Sequence, residues 1–425
     1  MGYKYDAWDR IISIPGYVEG QNTDGSQEIM PGIEYDRSGF MQSIRYANGV
    51  KTNYIPDSRG RLQSIAVNEH PSLDLCYTYD GNNNIIMMNN IQYQYDSFNR
   101  LVEVIQGTDI TNISYDRQGN RKRLVKNDQE IVDDYYYLPY NRLSNITGTN
   151  IVKYSYDSRG NLSQKKKDEE TVDYTFDDSN RLRKISTNNI EAEFFYDAAG
   201  YRIAKKVGSD LTYYLSHGNN VIYEETQGDK QEYVLLGSML IAKIDNGNEI
   251  YFYQRDHLGS TRAVTDAQGA IVGQYDYEPF GTVSSQEGLS ETYRFTGKPE
   301  DDDVTGLYYY GARYYDPQTG RFISVDPARD GLNWYVYCQN NPLKYFDPDG
   351  RKEVAIDQYV ERFAINVEKS IGAIYIYGAG HGTRKDKIID FFRIKAYDCT
   401  GLIIKNMRKA GKDIPNMTAN EIGKR

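Results

Sequence analysis

Alternating apolar and polar positions recur along the first 250 residues, each time just before a short turn phrase. Tyr154-Ser155-Tyr156 and Glu193-Phe194-Phe195-Tyr196 are two such segments, and openings such as Arg100-Leu101 follow the turns. Successive side chains of a strand point to opposite faces, so this alternation predicts short β-strands with one packed face. The pattern predicts a long series of strands joined by tight turns.

The turn phrase is an aromatic residue followed by aspartate. Three positions after the aspartate stands Gly, Asn or Asp, the residue types that accept a left-handed backbone at low cost. Strand, turn and strand together predict one β-hairpin per copy, and a spacing of about twenty residues predicts a stacked repeat. The aspartates of the nine copies are Asp6, Asp36, Asp57, Asp80, Asp96, Asp116, Asp157, Asp177 and Asp197.

This array, over residues 1–250, resembles the YD repeat of the RHS and teneurin superfamily. The resemblance implies a β-hairpin ribbon that spirals into a hollow shell. We expect a mainly β fold and, because repeat and core span only about 350 residues, a partial shell with one exposed sheet edge. An exposed edge favours pairing with another copy, so self-association is expected.

In residues 251–350 the regular repeat is replaced by closely spaced motifs, such as Tyr314-Tyr315-Asp316-Pro317 and Asn340-Asn341-Pro342. They resemble the RHS-associated core domain, which plugs one end of the shell and precedes a variable C-terminal effector. In that family, core aspartates cut the chain after an Asp-Pro-x-Gly phrase, and Asp326 and Asp347 match these positions. Two carboxyl groups held close can share acid and base roles, whereas the alternative for both Asp-Pro pairs is a tight turn. Arg351 stands where the family has leucine.

Composition narrows the classes of function. Forty-one tyrosines against two tryptophans suit a thin, half-buried sheet, and the mean hydropathy is −0.71. No apolar run approaches bilayer length, no cofactor motif is present, and three distant cysteines argue against a disulfide framework. The net charge of −10 opposes general nucleic-acid binding, although residues 351–425 carry 15 basic and 9 acidic residues.

Residues 351–425 form a different, small α/β region. Helical spacing of apolar residues begins near Glu353, and Asp398-Cys399-Thr400-Gly401-Leu402 resembles the cysteine phrase of NlpC/P60 peptidases, which cut peptidoglycan. A thiol in the first turn of a helix favours the thiolate, so Cys399 is the candidate nucleophile. The alternative is a buried structural cysteine. No histidine follows Cys399 in the sequence, so the peptidase is incomplete as written.

The leading hypothesis is that this chain is the C-terminal portion of a secreted RHS-type polymorphic toxin, in which the shell and core carry an incomplete peptidoglycan peptidase. We expect a fragment because the first residues already lie inside a repeat. The expected partners are peptidoglycan or a cell-surface glycan and an immunity protein, with no nucleic acid and no membrane span. Two alternatives stay open. One is a cell-surface, carbohydrate-binding repeat scaffold without catalytic activity, and the other is a nuclease tail, suggested by the basic charge beyond residue 350.

Overall fold

The computed structural model describes residues 4–8, 10–15, 28–127, 131–148, 151–301, 304–329 and 331–356. Within these ranges the regular structure is almost entirely antiparallel β-strand, in one large sheet and three small ones. The prediction of a mainly β chain built from hairpins is confirmed.

Three short strands form the N-terminal sheet: β1 (Lys4–Tyr5), β2 (Ile11–Pro15) and β3 (Glu28–Met30). The strands of the large sheet follow in chain order: β4 (Gly32–Tyr35), β5 (Met41–Arg45), β6 (Lys51–Pro56), β7 (Leu62–Val67), β8 (Leu75–Tyr79), β9 (Ile85–Met88), β10 (Ile91–Tyr95), β11 (Leu101–Gln106), β12 (Asp109–Tyr115), β13 (Arg121–Lys126), β14 (Ile131–Leu138), β15 (Arg142–Gly148), β16 (Val152–Tyr156), β17 (Leu162–Lys167), β18 (Glu170–Phe176), β19 (Leu182–Ser186), β20 (Glu191–Tyr196), β21 (Arg202–Val207), β22 (Asp210–His217), β23 (Asn220–Thr226), β24 (Asp229–Leu236), β25 (Met239–Asp245), β26 (Glu249–Arg255), β27 (Thr261–Thr265), β28 (Ile271–Tyr277) and β29 (Val283–Gly288). The remaining strands are β30 (Glu300–Asp301), β31 (Leu307–Tyr309), β32 (Tyr314–Asp316) and β33 (Arg321–Phe322) in one sheet, and β34 (Tyr345–Phe346) and β35 (Val354–Ala355) in another. Four 3-10 turns complete the elements: Pro71–Leu73, Pro139–Asn141, Phe295–Gly297 and Cys338–Asn340.

The repeated aspartate builds each turn with its own side chain. In the copy at Asp96, Oδ1 accepts the backbone N–H groups of Phe98 (2.9 Å) and Arg100 (3.0 Å). Asn99 stands at the left-handed position with a φ of 59°. The predicted positive φ recurs three residues after the aspartate at Gly39, Gly60, Asn83, Gly119, Gly160, Asn180 and Gly200. Asp9, the corresponding residue of the first copy, lies outside the described residues.

The rest of the phrase locks neighbouring hairpins together. Arg100 donates from Nε to Oδ2 of Asp96 (2.7 Å) and from Nη1 to the carbonyl oxygen of Asp116 in the following turn (2.8 Å). The hydroxyl of Tyr115 donates to the carbonyl oxygen of Leu101 in the preceding hairpin (2.7 Å). Satisfying these main-chain groups holds the repeats in register. The tyrosine contact recurs at Tyr79, Tyr95, Tyr137, Tyr196 and Tyr277.

The large sheet, β4 to β29, curves round into a barrel-like wall, which is called the barrel below. Its early strands contact its late ones, because Asn48 donates to the carbonyl oxygen of Asp266 (2.8 Å) and Thr52 bonds Gln254 (2.7 Å). Within the described residues β4 pairs with β5 and β29 pairs with β28, so the exposed sheet edge and the self-association expected from it stay predictions. β22–β25 lie within the predicted array but lack the Tyr-Asp phrase. The twist of these additional strands adds to the curvature of the sheet.

Residues 289–356, as far as they are described, leave the large sheet and form the plug segment. The boundary predicted at residue 251 does not coincide with a change of sheet, because β26–β29 continue the barrel. Apolar side chains of the plug segment pack on the barrel wall: Leu307 and Tyr314 join a cluster with Leu143 and Tyr154. Burial of this mixed apolar surface is the main force that holds the plug segment in place.

The plug segment also sits on the aspartate turns of the barrel. Asn341 donates to Oδ1 of Asn84 (2.9 Å), and Arg321 donates to Oδ1 of Asn120 (3.0 Å). The hydroxyl of Tyr335 donates to the carbonyl oxygen of Gly160, next to Asn161 (2.6 Å). Asn84, Asn120 and Asn161 stand four residues after their aspartates, where other copies have Arg10, Arg61, Arg100 and Arg181. The asparagine side chain is shorter than that of arginine and carries an amide oxygen. The plug segment can therefore approach these turns and donate hydrogen bonds to them.

At the start of the helix predicted from Glu353, Val354–Ala355 forms a strand, and the next residue, Ile356, is helical. Val354–Ala355 pairs with Tyr345–Phe346, a main-chain contact that local apolar spacing does not reveal. The rest of the predicted helix and Cys399 lie outside the described residues, so the cysteine site stays a prediction. In the part of the chain that the structure describes, no helix is long and apolar enough to cross a membrane.

Candidate functional site

Asp326 and Asp347, the two aspartates singled out from the sequence, meet at the guanidinium group of Arg313. Nη2 of Arg313 lies 3.2 Å from Oδ2 of Asp347, and Nη1 lies 3.8 Å from Oδ2 of Asp326. The side chains of Arg313, Asp347 and Asp326 are 5%, 1% and 8% exposed. The structure therefore brings the two carboxyl groups to one buried cation.

Arg313 was not among the residues predicted from the sequence. It lies in the turn between β31 and β32, with Cζ 3.6 Å from the centroid of the Phe322 ring. Burial lowers the pKa of Arg313, and the charges of Asp347 and Asp326 oppose that shift. The sequence did contain an indication of this role, because Arg313 is the single arginine in the aromatic run Tyr308–Tyr315. A guanidinium buried among aromatic rings requires carboxylate partners.

Asp347 organises the backbone that follows it. Its Oδ1 accepts the N–H groups of Gly350 (2.8 Å) and Arg351 (3.1 Å), and at longer range those of Asp349 (3.2 Å) and Lys352 (3.3 Å). Burial raises the pKa of the Asp347 carboxyl above its ordinary value, while Arg313 and the backbone donors work against this. Asp347 can therefore hold a proton at a higher pH than an exposed aspartate.

Gly350 brings its carbonyl group to the same guanidinium. Nε of Arg313 donates to the Gly350 oxygen at 2.6 Å, so one arginine binds both a carboxylate and this peptide carbonyl. Gly350 has a φ of 75°, and a Cβ atom there would stand 2.9 Å from the Arg313 backbone nitrogen and 3.2 Å from Tyr310. Only glycine fits this approach.

Asp326 is also a turn residue, so the two interpretations of the Asp-Pro pairs are not exclusive. Its Oδ1 accepts the N–H of Ala328 (2.8 Å), and its own N–H donates to the carbonyl oxygen of Trp334 (3.1 Å). Oδ2 is the oxygen that faces Arg313. The turn thus fixes the carboxyl group while leaving one oxygen directed at the guanidinium.

Two other residues of reactive type, His257 and Cys338, are buried near this region. The His257 ring lies 4.8 Å from the Tyr77 ring, and its Nε2 bonds the carbonyl oxygen of Leu343 (3.0 Å); burial lowers the pKa of His257. Burial raises the pKa of the Cys338 thiol, which disfavours the thiolate. The packing of His257 indicates a structural role.

The arrangement places one guanidinium and two carboxyl groups next to the Gly350–Arg351 peptide bond. Arg313 can stabilise negative charge on the Gly350 oxygen, and Asp347 contacts the nitrogen of Arg351. Asp326 is a second carboxyl group on the same cation. Across the described residues, no cluster of three or more His, Cys, Asp or Glu side chains could hold a metal ion.

Several known proteins are similar to this chain in sequence. The tRNA nuclease WapA of Bacillus subtilis strain 168 is 32% identical over 381 residues, which is 82% of this chain and 15% of that protein. The toxin subunit YenC1 of Yersinia entomophaga is 26% identical over 381 residues, covering 82% of this chain and 36% of its own length. The present chain therefore spans about a seventh to a third of these relatives.

A solved structure of the Photorhabdus luminescens Tc holotoxin pore superposes with a TM-score of 0.67 at 20% identity. The superposition covers 84% of this chain and 20% of that one, and it supports the fold alone. The Teneurin YD-shell family model matches residues 85–343, more than half of the chain. This match, together with the repeated hairpins, the curved wall and the plug segment, shows that the chain belongs to the teneurin YD-shell family.

Proposed function

We propose that this chain is the C-terminal portion of a secreted RHS-type toxin, in which the barrel and plug segment carry a C-terminal effector and cut it free after Gly350. The observation that carries this proposal is the position of Arg313. It joins Asp326, Asp347 and the Gly350 carbonyl at the point where the plug segment ends. The fold is that of a toxin shell, and relatives whose names include a toxin subunit support the assignment.

The proposed reaction is hydrolysis of the Gly350–Arg351 bond. Asp326 takes a proton from water as the water oxygen attacks the Gly350 carbonyl carbon, and Arg313 holds the oxygen as negative charge develops. When the intermediate collapses, the C–N bond breaks and Asp347 gives its proton to the Arg351 nitrogen. The products are a Gly350 carboxylate and a new amino terminus at Arg351.

Arg351 in place of the family's leucine does not obstruct this reaction. Its side chain is 58% exposed and extends towards Asp349, with 3.9 Å between Nε and Oδ2. It therefore occupies no part of the buried site, and a substitution at this position changes the exposed side of the bond.

The direct test is the mass of the purified 425-residue chain after incubation near neutral and mildly acidic pH. We expect two fragments, one ending at Gly350 and one beginning at Arg351. Asp326→Asn is expected to slow their formation by about 10²-fold or more, because the amide cannot act as a base. An intact wild-type chain under all conditions, or equal rates for both proteins, would contradict the proposal.

We infer that the effector is the region beyond residue 350, with Cys399 as its candidate nucleophile and peptidoglycan as its candidate substrate. A complementary immunity protein would then protect the producing cell. WapA relatives are named tRNA nucleases, so RNA is the competing substrate. The released region, or a longer form supplying a histidine, should cleave peptidoglycan stem peptides but not tRNA, and Cys399→Ser should abolish this. Cleavage of tRNA that survives Cys399→Ser would overturn the peptidase assignment.

The alternative of a carbohydrate-binding surface scaffold has one supporting observation. Trp8, Phe98 and Tyr140, all on turns, present rings that are 75%, 76% and 78% exposed. A scaffold of that kind has no need to cut itself, so the cleavage experiment at Gly350 also separates the two functions.

A further inference from the structure

Three consecutive carbonyl groups of the turn around Gly350 are each held by a different donor. Nζ of Lys298 donates to the Pro348 oxygen at 2.6 Å. The Asp349 oxygen accepts the N–H of Ala312 at 3.0 Å, and the Gly350 oxygen accepts Nε of Arg313 at 2.6 Å. A turn fixed on every carbonyl presents the Gly350–Arg351 bond in one orientation.

We infer that Lys298 is a positioning residue for cleavage after Gly350, which holds the Pro348 carbonyl and sets the protonation of Asp347 through its charge. The inference rests on the proposed self-cleavage and adds a residue that lies outside the Arg313 and aspartate cluster. Lys298 directly follows the Phe295–Gly297 turn, more than twelve residues before Arg313 in the sequence. It therefore ties a separate part of the plug segment to the reacting peptide bond.

Lys298 is buried near other charged groups, so its charge affects their protonation. The groups that face it are the carboxylates of Asp347 and Asp349, the guanidinium of Arg255 and the ring of Tyr310, whose centroid lies 5.7 Å from Nζ. Burial lowers the pKa of Lys298 to about 8, although both carboxylates oppose that shift. At neutral pH the ammonium form predominates and favours the ionised form of Asp347.

Lys298 also lines a small cavity beside this turn. It lines a cavity of about 30 Å³ together with Tyr201, Asn219, Tyr309 and Gly311. A volume of this size exceeds what a single water requires. Gly311 abuts the turn directly, because a Cβ atom there would stand 3.3 Å from the Asp349 oxygen. Lys298 therefore lies next to both the cavity and the reacting turn.

The consequence is a specific change in the pH profile of cleavage. Removing the positive charge in Lys298→Met raises the pKa of Asp347, so the decline in rate at high pH moves to higher pH. The maximal rate should fall about tenfold, because the turn loses one of its donors. Lys298→Arg keeps the charge and should leave the position of the decline unchanged. A purely structural role would lower the rate without moving the profile.

The test compares the cleavage rates of the wild-type, Lys298→Met and Lys298→Arg full chains from pH 4 to pH 9 by intact mass. A wild-type rate and profile for Lys298→Met would overturn the inference. A second measurement does not depend on cleavage: amide hydrogen exchange at Gly350, Arg351 and Lys352 should be faster in Lys298→Met. If wild type is not cleaved, the proposed function fails, and unchanged exchange would then separately overturn the role of Lys298.

Discussion

Replacing Asp347 with asparagine is expected to leave the chain uncut after Gly350. Asparagine keeps an oxygen that can accept the backbone N–H groups of Gly350 and Arg351, so the turn is retained. It loses both the proton for the leaving nitrogen and the charge beside Arg313. The rate of cleavage should fall by about 10²- to 10⁴-fold, measured as the ratio of fragments to intact chain by mass spectrometry.

Asp349→Asn is the matched control. Asp349 lies two residues away and also bonds the Arg351 N–H (3.1 Å), but its side chain is 36% exposed and faces no buried guanidinium. Cleavage in this variant should stay near the wild-type rate. Equal losses in both variants would show that the turn is merely disturbed and would contradict an acid role for Asp347.

The sign of the pH dependence follows from the same residue. Asp347 must be protonated to give a proton to the leaving nitrogen, and burial raises its pKa. Cleavage should therefore decline as pH rises through this raised pKa, which lies above that of an ordinary aspartate, about 3.9. A rate that increases steadily with pH would exclude Asp347 as the acid.

Replacing Asp301 with alanine is expected to lower the free energy of unfolding by about 3–5 kcal/mol, because it leaves a buried cation without its partner. Asp301 of the plug segment bonds Arg202 of the barrel at 2.8 Å and Lys205 at 3.1 Å. The Arg202 and Asp301 side chains are 3% and 1% exposed. The measurement is urea unfolding monitored by tyrosine fluorescence.

The control for Asp301 is an exposed ion pair elsewhere on the barrel. Arg159 lies 3.3 Å from Asp178, whose side chain is fully exposed, so Asp178→Ala should give no measurable change in unfolding. A similar loss for both variants would mean that charge alone, and not burial, determines the effect.

The contribution of Asp301 should also depend on pH. Burial alone would raise the pKa of Asp301, but Arg202 and Lys205 outweigh burial and hold that pKa below its ordinary value. The stabilisation is therefore present above the unfolded-state pKa of about 3.9 and is lost as pH falls through the lower folded-state pKa. The stability difference between wild type and Asp301→Asn should persist at neutral pH and shrink only in strong acid.

The sequence by itself determined the repeating unit of this protein. Each hairpin turn depends on groups within a few residues of one another, such as the Asp96 carboxylate and the left-handed backbone of Asn99, so local order predicts it. The candidate pair Asp326 and Asp347 was also visible, because each lies in a recognisable Asp-Pro phrase.

Tertiary structure alone decided how these pieces meet. The curvature of the barrel depends on twist summed over many strands, including β22–β25, which carry no Tyr-Asp phrase. Arg313 is the shared cation, and Lys298 the donor to Pro348, because of contacts between residues 13 to 50 positions apart. Such contacts are set by the packing of the plug segment against the barrel, which no local pattern of residues encodes.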